Sequence, residues 1–429
     1  METKNLKKII QKIISLSFLA MGRTSPNPPV AAVICDDTGN ILVSGNTQIT
    51  GLNHAEREAY LLFDKNHFAI KSDKETSFIS HQLFVSLEPC THFGKTPPCK
   101  DLILQKHPNS LIMGWRDPNP LIETGIWDDY KTANIETKLH PLLAKGSLPF
   151  LHGFFQRIKK NRPWVFVKSA ITSDGFYAAN DNQRIAISSE GSNFYLQMLR
   201  AKFDAIVVGP NTIELDSPSL DFRLDEKSFY AKGEVSKIDF GNISDFFSHG
   251  EQLLDSLFSE SNAESYSEHL AEIHTYQPWR IFILKEGMKL PLDFIQKQND
   301  LNEKYGKKLC LFYLLISENR NITIDDSNIN SNIKELFSLT DHPITKISMH
   351  DGEKFLNHLA KLGINTVIFE AGSFLWEFIK NHMDSNDCIL TIQSPKELNE
   401  GKTFLGINQY EKQAHFQVGS DLWQLEMKT

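Results

Sequence analysis

Two short blocks constrain this chain more than any other feature: His54-Ala55-Glu56, and Pro89-Cys90 followed by Pro98-Cys99. One imidazole and two thiolates make three ligands for a tetrahedral zinc and leave a fourth position open, the pattern of a catalytic rather than a structural centre. Thiolates suit zinc and bring no redox chemistry with it. Glu56 is not needed as a ligand and is free to move protons. Taken singly, His54 reads as a capping residue and each cysteine as a small buried hydrophobe. As an ordered set, His54, Cys90 and Cys99 read as the ligands of one zinc per chain, with Glu56 as the catalytic acid/base.

The same blocks dictate local structure. Asn53 followed by HAEREAYLLF predicts a helix entered at His54, and PPCKDLILQK predicts a second with proline in its first turn. A cysteine at a helix start meets unpaired amides and the positive end of the dipole, which favours thiolate. Strands are expected over residues 29–34, 41–44, 81–86 and 110–115, the first two joined by the turn 36–40. Strands alternating with helices imply an α/β layer domain.

At 429 residues two domains are the default expectation. Lys+Arg of 45 against Asp+Glu of 53 gives a net charge of −8 with no basic run. That weighs against a polynucleotide substrate, since such affinity comes chiefly from neutralising phosphates. A small monophosphate needs only one or two arginines. The five scattered cysteines suit a reducing, cytoplasmic compartment rather than a disulfide framework. Lys4, Lys7 and Lys8 before an apolar run resemble a signal peptide. Lys12 interrupts that run, however, and Leu6, Ile9, Ile10, Ile13, Leu16 and Ala20 fall at helical spacing, so a packed domain helix is expected. No run approaches the length of a membrane span.

The segment Glu88-Pro-Cys-Thr-His-Phe-Gly-Lys-Thr-Pro-Pro-Cys99, with Pro26-Asn27-Pro28 upstream and Asp117-Pro-Asn-Pro120 downstream, closely resembles the deaminase half of the bifunctional pyrimidine deaminase/reductase family of riboflavin biosynthesis. The resemblance implies a cytidine-deaminase-like α/β/α sandwich over residues 1–148. It implies hydrolytic deamination of 2,5-diamino-6-(5-phosphoribosylamino)pyrimidin-4(3H)-one to the corresponding uracil. Zinc ligation falls to His54, Cys90 and Cys99, proton transfer to Glu56, and substrate contact to Asn27 and His92. Two departures stand out. Ala31 replaces a common glycine, and a Gly-x-Gly word survives only as Thr124-Gly125.

After a linker at 149–162, where Phe154, Phe155 and Ile158 are expected to anchor the link, the resemblance continues over 163–429 into the family's NADPH-dependent reductase half. That half has a dihydrofolate-reductase-like α/β fold and converts the ribosyl to the ribityl group. The carrying words are Lys168-Ser-Ala-Ile-Thr-Ser-Asp174-Gly175, Asp204-Ala-Ile-Val-Val-Gly209-Pro-Asn-Thr212, Asp216-Ser-Pro-Ser-Leu220-Asp-Phe-Arg223 and Val367-Ile-Phe-Glu370-Ala-Gly372-Ser-Phe-Leu375. They imply substrate contacts at Arg184, Arg200, Leu220, Arg223 and Glu370. They imply cofactor contacts at Ala170, Ala186, Thr212, Asp216, Lys285, Gly372, Ser373, Phe374 and Leu375. The family's Ser-x-Trp-Ile-Thr word stands here as Arg184-Ile185-Ala186-Ile187-Ser188, without the indole. A polar insertion occupies 224–276, with Leu253, Leu254, Leu257 and Phe258 at helical spacing. Small-molecule pyrimidine ribotide as partner, no nucleic acid, no membrane and a homo-oligomer complete the expectation. The alternatives are a deaminase with a degenerate reductase half, a zinc deaminase of another nucleobase, and a non-enzymatic zinc-structured scaffold.

Overall fold

The computed structural model describes residues 3–68, 80–122, 126–180, 185–223, 277–288, 290–316, 336–403 and 410–428. The insertion at 224–276, Arg184 and the Thr124-Gly125 word lie outside the described residues. The chain forms two compact units that meet in sequence between Lys160 and Asn161.

The first unit runs α1 (Thr3–Ala20), β1 (Ala31–Cys35), β2 (Ile41–Asn46), α2 (Ala55–Phe68), β3 (Gln82–Leu87), α3 (Cys99–Lys106), β4 (Ser110–Trp115), α4 (Ile126–Thr132), β5 (Glu136–Leu139) and α5 (Pro141–Lys160). Its sheet has the order β2-β1-β3-β4-β5. The first three strands pair antiparallel and the last three parallel. Side chains of a strand alternate between faces, and here both faces are buried. Ala32, Ile34, Leu83, Val85, Leu111 and Met113 enter one core with Tyr60 and Ile103, while Ala31, Val33, Cys35, Phe84 and Ile112 enter another with Ile9 and Ile13. Strands apolar on successive residues are what a sheet covered by helices on both sides requires. The expected α/β/α sandwich is the observed one, and the N-terminal lysine-rich segment is a packed helix.

The linker expected at 149–162 is a correction. Its residues to Lys160 complete α5, and Leu151, Phe154, Phe155 and Ile158 pack in the first unit's own core rather than anchoring a link. Proline inside a helix removes a hydrogen bond and clashes with the preceding turn, yet α5 continues through Pro149. Burial of the aromatic stripe beyond it outweighs that cost. The helix ends where Asn161 takes a left-handed φ of 52°, a conformation asparagine tolerates.

The second unit runs β6 (Trp164–Ile171), β7 (Phe176–Ala178), α6 (Glu190–Arg200), β8 (Ala205–Val208), α7 (Pro210–Asp216), β9 (Trp279–Lys285), α8 (Leu292–Tyr305), β10 (Cys310–Leu315), β11 (Thr345–Ile347), α9 (Gly352–Lys361), β12 (Thr366–Glu370), α10 (Ser373–Ile379), β13 (Cys388–Gln393), β14 (Lys402–Thr403), β15 (Tyr410–Val418) and β16 (Asp421–Lys428). Nine strands form one sheet in the order β11-β10-β9-β8-β12-β6-β13-β16-β15. It is parallel from β11 to β13 and antiparallel at β16 and β15. β7 and β14 make a separate two-stranded ribbon. This is the α/β reductase-type domain expected from the sequence. Strand β12 enters between β8 and β6, so the strand order switches there, and clefts of open α/β sheets form at the carboxyl ends of strands at such points.

Candidate functional site

In the first unit the sheet and two helix starts converge on His54, Cys90 and Cys99. The His54 carbonyl accepts the N–H of Glu58 (3.0 Å), which places His54 at the entry of α2. β3 ends at Leu87 and delivers Pro89-Cys90. Pro98 precedes the first residue of α3, Cys99, so the prolines stand before the helix rather than inside it. Two backbone donations join the loops: Cys99 N–H to Cys90 Sγ (3.4 Å) and Lys100 N–H to the Cys90 carbonyl (3.1 Å).

His54 Nδ1 lies 3.4 Å from Cys90 Sγ and 3.6 Å from Cys99 Sγ. Ligand atoms at zinc–sulfur and zinc–nitrogen bond lengths on a tetrahedron stand about 3.6 Å apart. The three donors therefore fit zinc. The electrostatics point the same way. A hydrogen bond from the Cys99 thiol, aided by His54, lowers the Cys90 pKa, while that same bond and burial raise Cys99. One negative charge is thus shared between two sulfurs, and a cation would let both ionise. The bond to Cys90 raises the pKa of His54.

Glu56, 3% exposed, shares this environment. Burial first and the neighbouring Cys90 second push its carboxyl up to about 7, where an acid/base can both take and return a proton near neutrality. Asn27 lies in the turn after α1, its N–H donating to the Thr24 carbonyl (2.9 Å). His92, two residues past Cys90, has its Nδ1 buried without a hydrogen-bond partner among the described residues. The structure brings together the three ligands and Glu56; the substrate roles of Asn27 and His92 rest on the sequence.

The sequence reading missed Glu88. Its buried carboxylate receives Arg116 Nη1 (2.8 Å), Trp127 Nε1 (2.8 Å) and the Asp117 N–H (3.2 Å). The Arg116 guanidinium stacks 3.7 Å from the centre of the Trp127 ring. Glu88 thereby ties the loop that carries Cys90 to the Asp117–Pro120 turn. Its place beside Pro89-Cys90 was the available signal.

The second unit holds a cleft of about 640 Å³ at the carboxyl ends of β6, β8 and β12, within the usual size of a small-molecule site. Ala170, Ala186, Thr212, Asp216, Glu370, Gly372, Ser373, Phe374 and Leu375 line it, together with Lys168 and Tyr177, which the sequence reading had not assigned. A Cβ on Gly372 would lie 3.1 Å from the Tyr177 ring, so any larger residue would crowd that ring by a few tenths of an ångström. Leaving the backbone bare beside a cleft of this volume suits a dinucleotide.

Other expected residues stand elsewhere. Arg200 makes a bidentate pair with Glu370, Nε to Oε1 at 2.6 Å and Nη2 to Oε2 at 2.7 Å. Against the upward push of burial, that guanidinium holds the Glu370 pKa low. Arg200 thus acts on the cleft through Glu370 rather than lining it. Arg223 pairs with Asp221 (3.1 Å), and Leu220 is buried at a left-handed φ of 56°. Lys285 pairs with Glu214 (3.2 Å) and is not among the cleft-lining residues. Burial lowers the Lys168 pKa, partly offset by Glu370. Among the described residues, no helix is long and apolar enough to cross a membrane.

Residues 4–115 match the family described as the cytidine and deoxycytidylate deaminase zinc-binding region, and residues 163–238 match the RibD C-terminal domain. Among curated proteins, the chain is 33% identical over 215 residues to the riboflavin biosynthesis protein RibD of Actinobacillus pleuropneumoniae, covering 50% of this chain and 54% of that one. It is 32% identical over 217 residues to RibD of Aquifex aeolicus, 51% and 57% of the two chains. The matched stretch spans little more than half the length of these relatives. Among solved structures, Acinetobacter baumannii RibD superposes with a TM-score of 0.71 at 20% identity over 100% of both chains. The Thermotoga maritima diaminohydroxyphosphoribosylaminopyrimidine deaminase/5-amino-6-(5-phosphoribosylamino)uracil reductase gives 0.68 at 21% over 99% of both. At such identity the likeness establishes the fold.

Proposed function

We propose, for a chain that belongs to the RibD family, that it deaminates 2,5-diamino-6-(5-phosphoribosylamino)pyrimidin-4(3H)-one to the uracil ribotide in its first unit and reduces the ribosyl to the ribityl group in its second. The observation that carries this reading is the convergence of His54, Cys90 and Cys99 around the buried Glu56. The three ligands would hold zinc, which when bound supplies the Lewis acidity that makes water a nucleophile at neutral pH. Glu56 takes one proton from the attacking water and gives it to the ring nitrogen, then takes the second proton from the added hydroxyl and gives it to the amino group, which leaves as ammonia as the carbonyl forms. One carboxylate suffices because the transfers are sequential. Asn27 and His92 would orient the pyrimidine, and the junction at Glu88 holds the loops that frame it.

In the second unit the cleft residues from Ala170 to Leu375 would hold NADPH, which when bound supplies a hydride. Glu370, fixed by Arg200, accepts hydrogen bonds from the sugar hydroxyls. Lys168, its pKa lowered by burial, gives up the proton that accompanies ring opening of the sugar. Arg223, exposed on its Asp221 partner, suits the substrate phosphate, and Arg184 and Leu220 keep the substrate roles implied by the resemblance. The same reading includes a cytoplasmic homo-oligomer; five free cysteines support the reducing compartment. A coupled assay following ammonia release and NADPH oxidation on the same ribotide tests both halves. Ammonia without NADPH oxidation would reduce the protein to a deaminase, and neither product would overturn the reading.

A further inference from the structure

Among the described residues, Tyr177 and Phe374 are the aromatic residues that line the cleft of the second unit, and they are anchored differently. Phe374 packs against the hydrophobic core of that unit. Tyr177 is carried by β7, which among the described residues pairs with β14 alone, so it sits on a ribbon separate from the nine-stranded sheet. Its half-buried ring lies against Gly372, where any Cβ would crowd Cε2 at 3.1 Å. Its hydroxyl lies 2.8 Å from Ser373 Oγ. Ala186 lines the same cleft and presents only a methyl group.

The Tyr177 ring lies over the bare backbone of Gly372, and its hydroxyl is fixed to Ser373, a residue of the cleft itself. We infer that Tyr177 is the aromatic wall of the cofactor subsite. Its ring stacks on a heteroaromatic ring of the dinucleotide, and the bond to Ser373 holds it in orientation. Gly372 and Ser373, the residues it touches, belong to the cofactor side of the reading above, on which this inference rests. Offset stacking of aromatic rings gives the ribbon a binding role that its two short strands would not otherwise have.

The test is NADPH titration of the full chain, with the deamination rate of the same preparation as the folding control. Tyr177→Ala should weaken NADPH binding about five- to tenfold, the range that an aromatic pair supports, while the KM for the ribotide changes less than about twofold. Tyr177→Phe, which keeps the ring, should stay within about threefold of wild type, as expected for loss of one hydrogen bond. Tyr177→Leu keeps bulk without the ring and should behave like Tyr177→Ala. Adding Ala186→Trp to Tyr177→Ala should recover part of the loss. Unchanged NADPH affinity in the alanine and leucine variants overturns the inference, as does an effect confined to the ribotide KM. If wild type binds no NADPH while still deaminating, the reductase reading falls and takes the inference with it.

Discussion

The two sites are built on opposite plans. In the first unit, groups of rare chemistry stand unneutralised against one another: a histidine, two cysteines sharing a charge and a carboxyl raised to about 7. In the second, Arg200 and Glu370 neutralise each other at the cleft, whose lining mixes small residues and bare backbone with Lys168, Asp216 and Lys402. A site that must create reactivity concentrates electrostatic tension in a few atoms. One that receives a cofactor carrying the reactivity supplies shape and orientation instead. The first plan should therefore fail abruptly on single substitutions and the second by degrees.

The sharpest break should come from Cys90→Ser. Metal analysis is expected to fall from about one zinc per chain to near none, since the site has only three protein ligands, and deamination should fall with it. Full zinc and full rate in this variant would end the ligand assignment. Glu56→Gln comes next: zinc retained, with deamination down by two to four orders of magnitude, about the range for a lost general acid/base. Reduction of supplied uracil ribotide should persist, and an active Glu56→Gln deaminase would remove the proton-transfer role.

In the cleft, Lys168→Met should slow reduction about 100-fold, at the low end for proton transfer, with NADPH affinity little changed. A loss as steep as that of Glu56→Gln would erase the contrast between the two plans. The smallest effect concerns Asp117, whose carboxyl is raised by burial from 3.8 to about 6. The unfolded chain then releases this proton first as pH rises. The folded state is favoured by this group below 3.8, and that advantage is lost as pH rises through about 6. Asp117→Asn should accordingly gain about 1 kcal/mol over wild type at pH 7, after discounting for partial exposure, and nothing at pH 3.5. Equal denaturation midpoints at both pH values would show that the turn beside Glu88 carries no such tension.

Legibility followed the same division. His54, Glu56, Cys90 and Cys99 could be read because scarce residue types sit within a few positions of helix starts, and local geometry alone aims them. β4 was read to the residue, and β1, β2 and β3 to within one or two, because apolar runs bounded by turns mark buried strands. The cleft could not be read from spacing. Lys168, Tyr177 and Glu370 are ordinary residues on three different strands; the pairing of β12 with β6 makes Lys168 and Glu370 neighbours, and the β7–β14 ribbon brings Tyr177 to the same cleft. The pairing of Lys285 with Glu214 and the stripe that carries α5 past Pro149 are tertiary outcomes with no local mark.

Glu88 also sets how unevenly this chain can tolerate change. It is the single acceptor for donors from three separate positions, so the junction has one hub and three spokes. Losing the Arg116 spoke leaves a carboxylate that still receives two hydrogen bonds, and the guanidinium is itself 53% exposed, so water can replace it. Losing the hub strands the part-buried Trp127 indole and Asp117 amide together, and the cost grows with each donor left unpaired away from water. Sequence drift at position 116 is therefore cheap and drift at 88 is not, although the two residues share one ion pair. The loop next to Cys90 can accept neighbours of varied character while its own shape stays under the control of a single side chain.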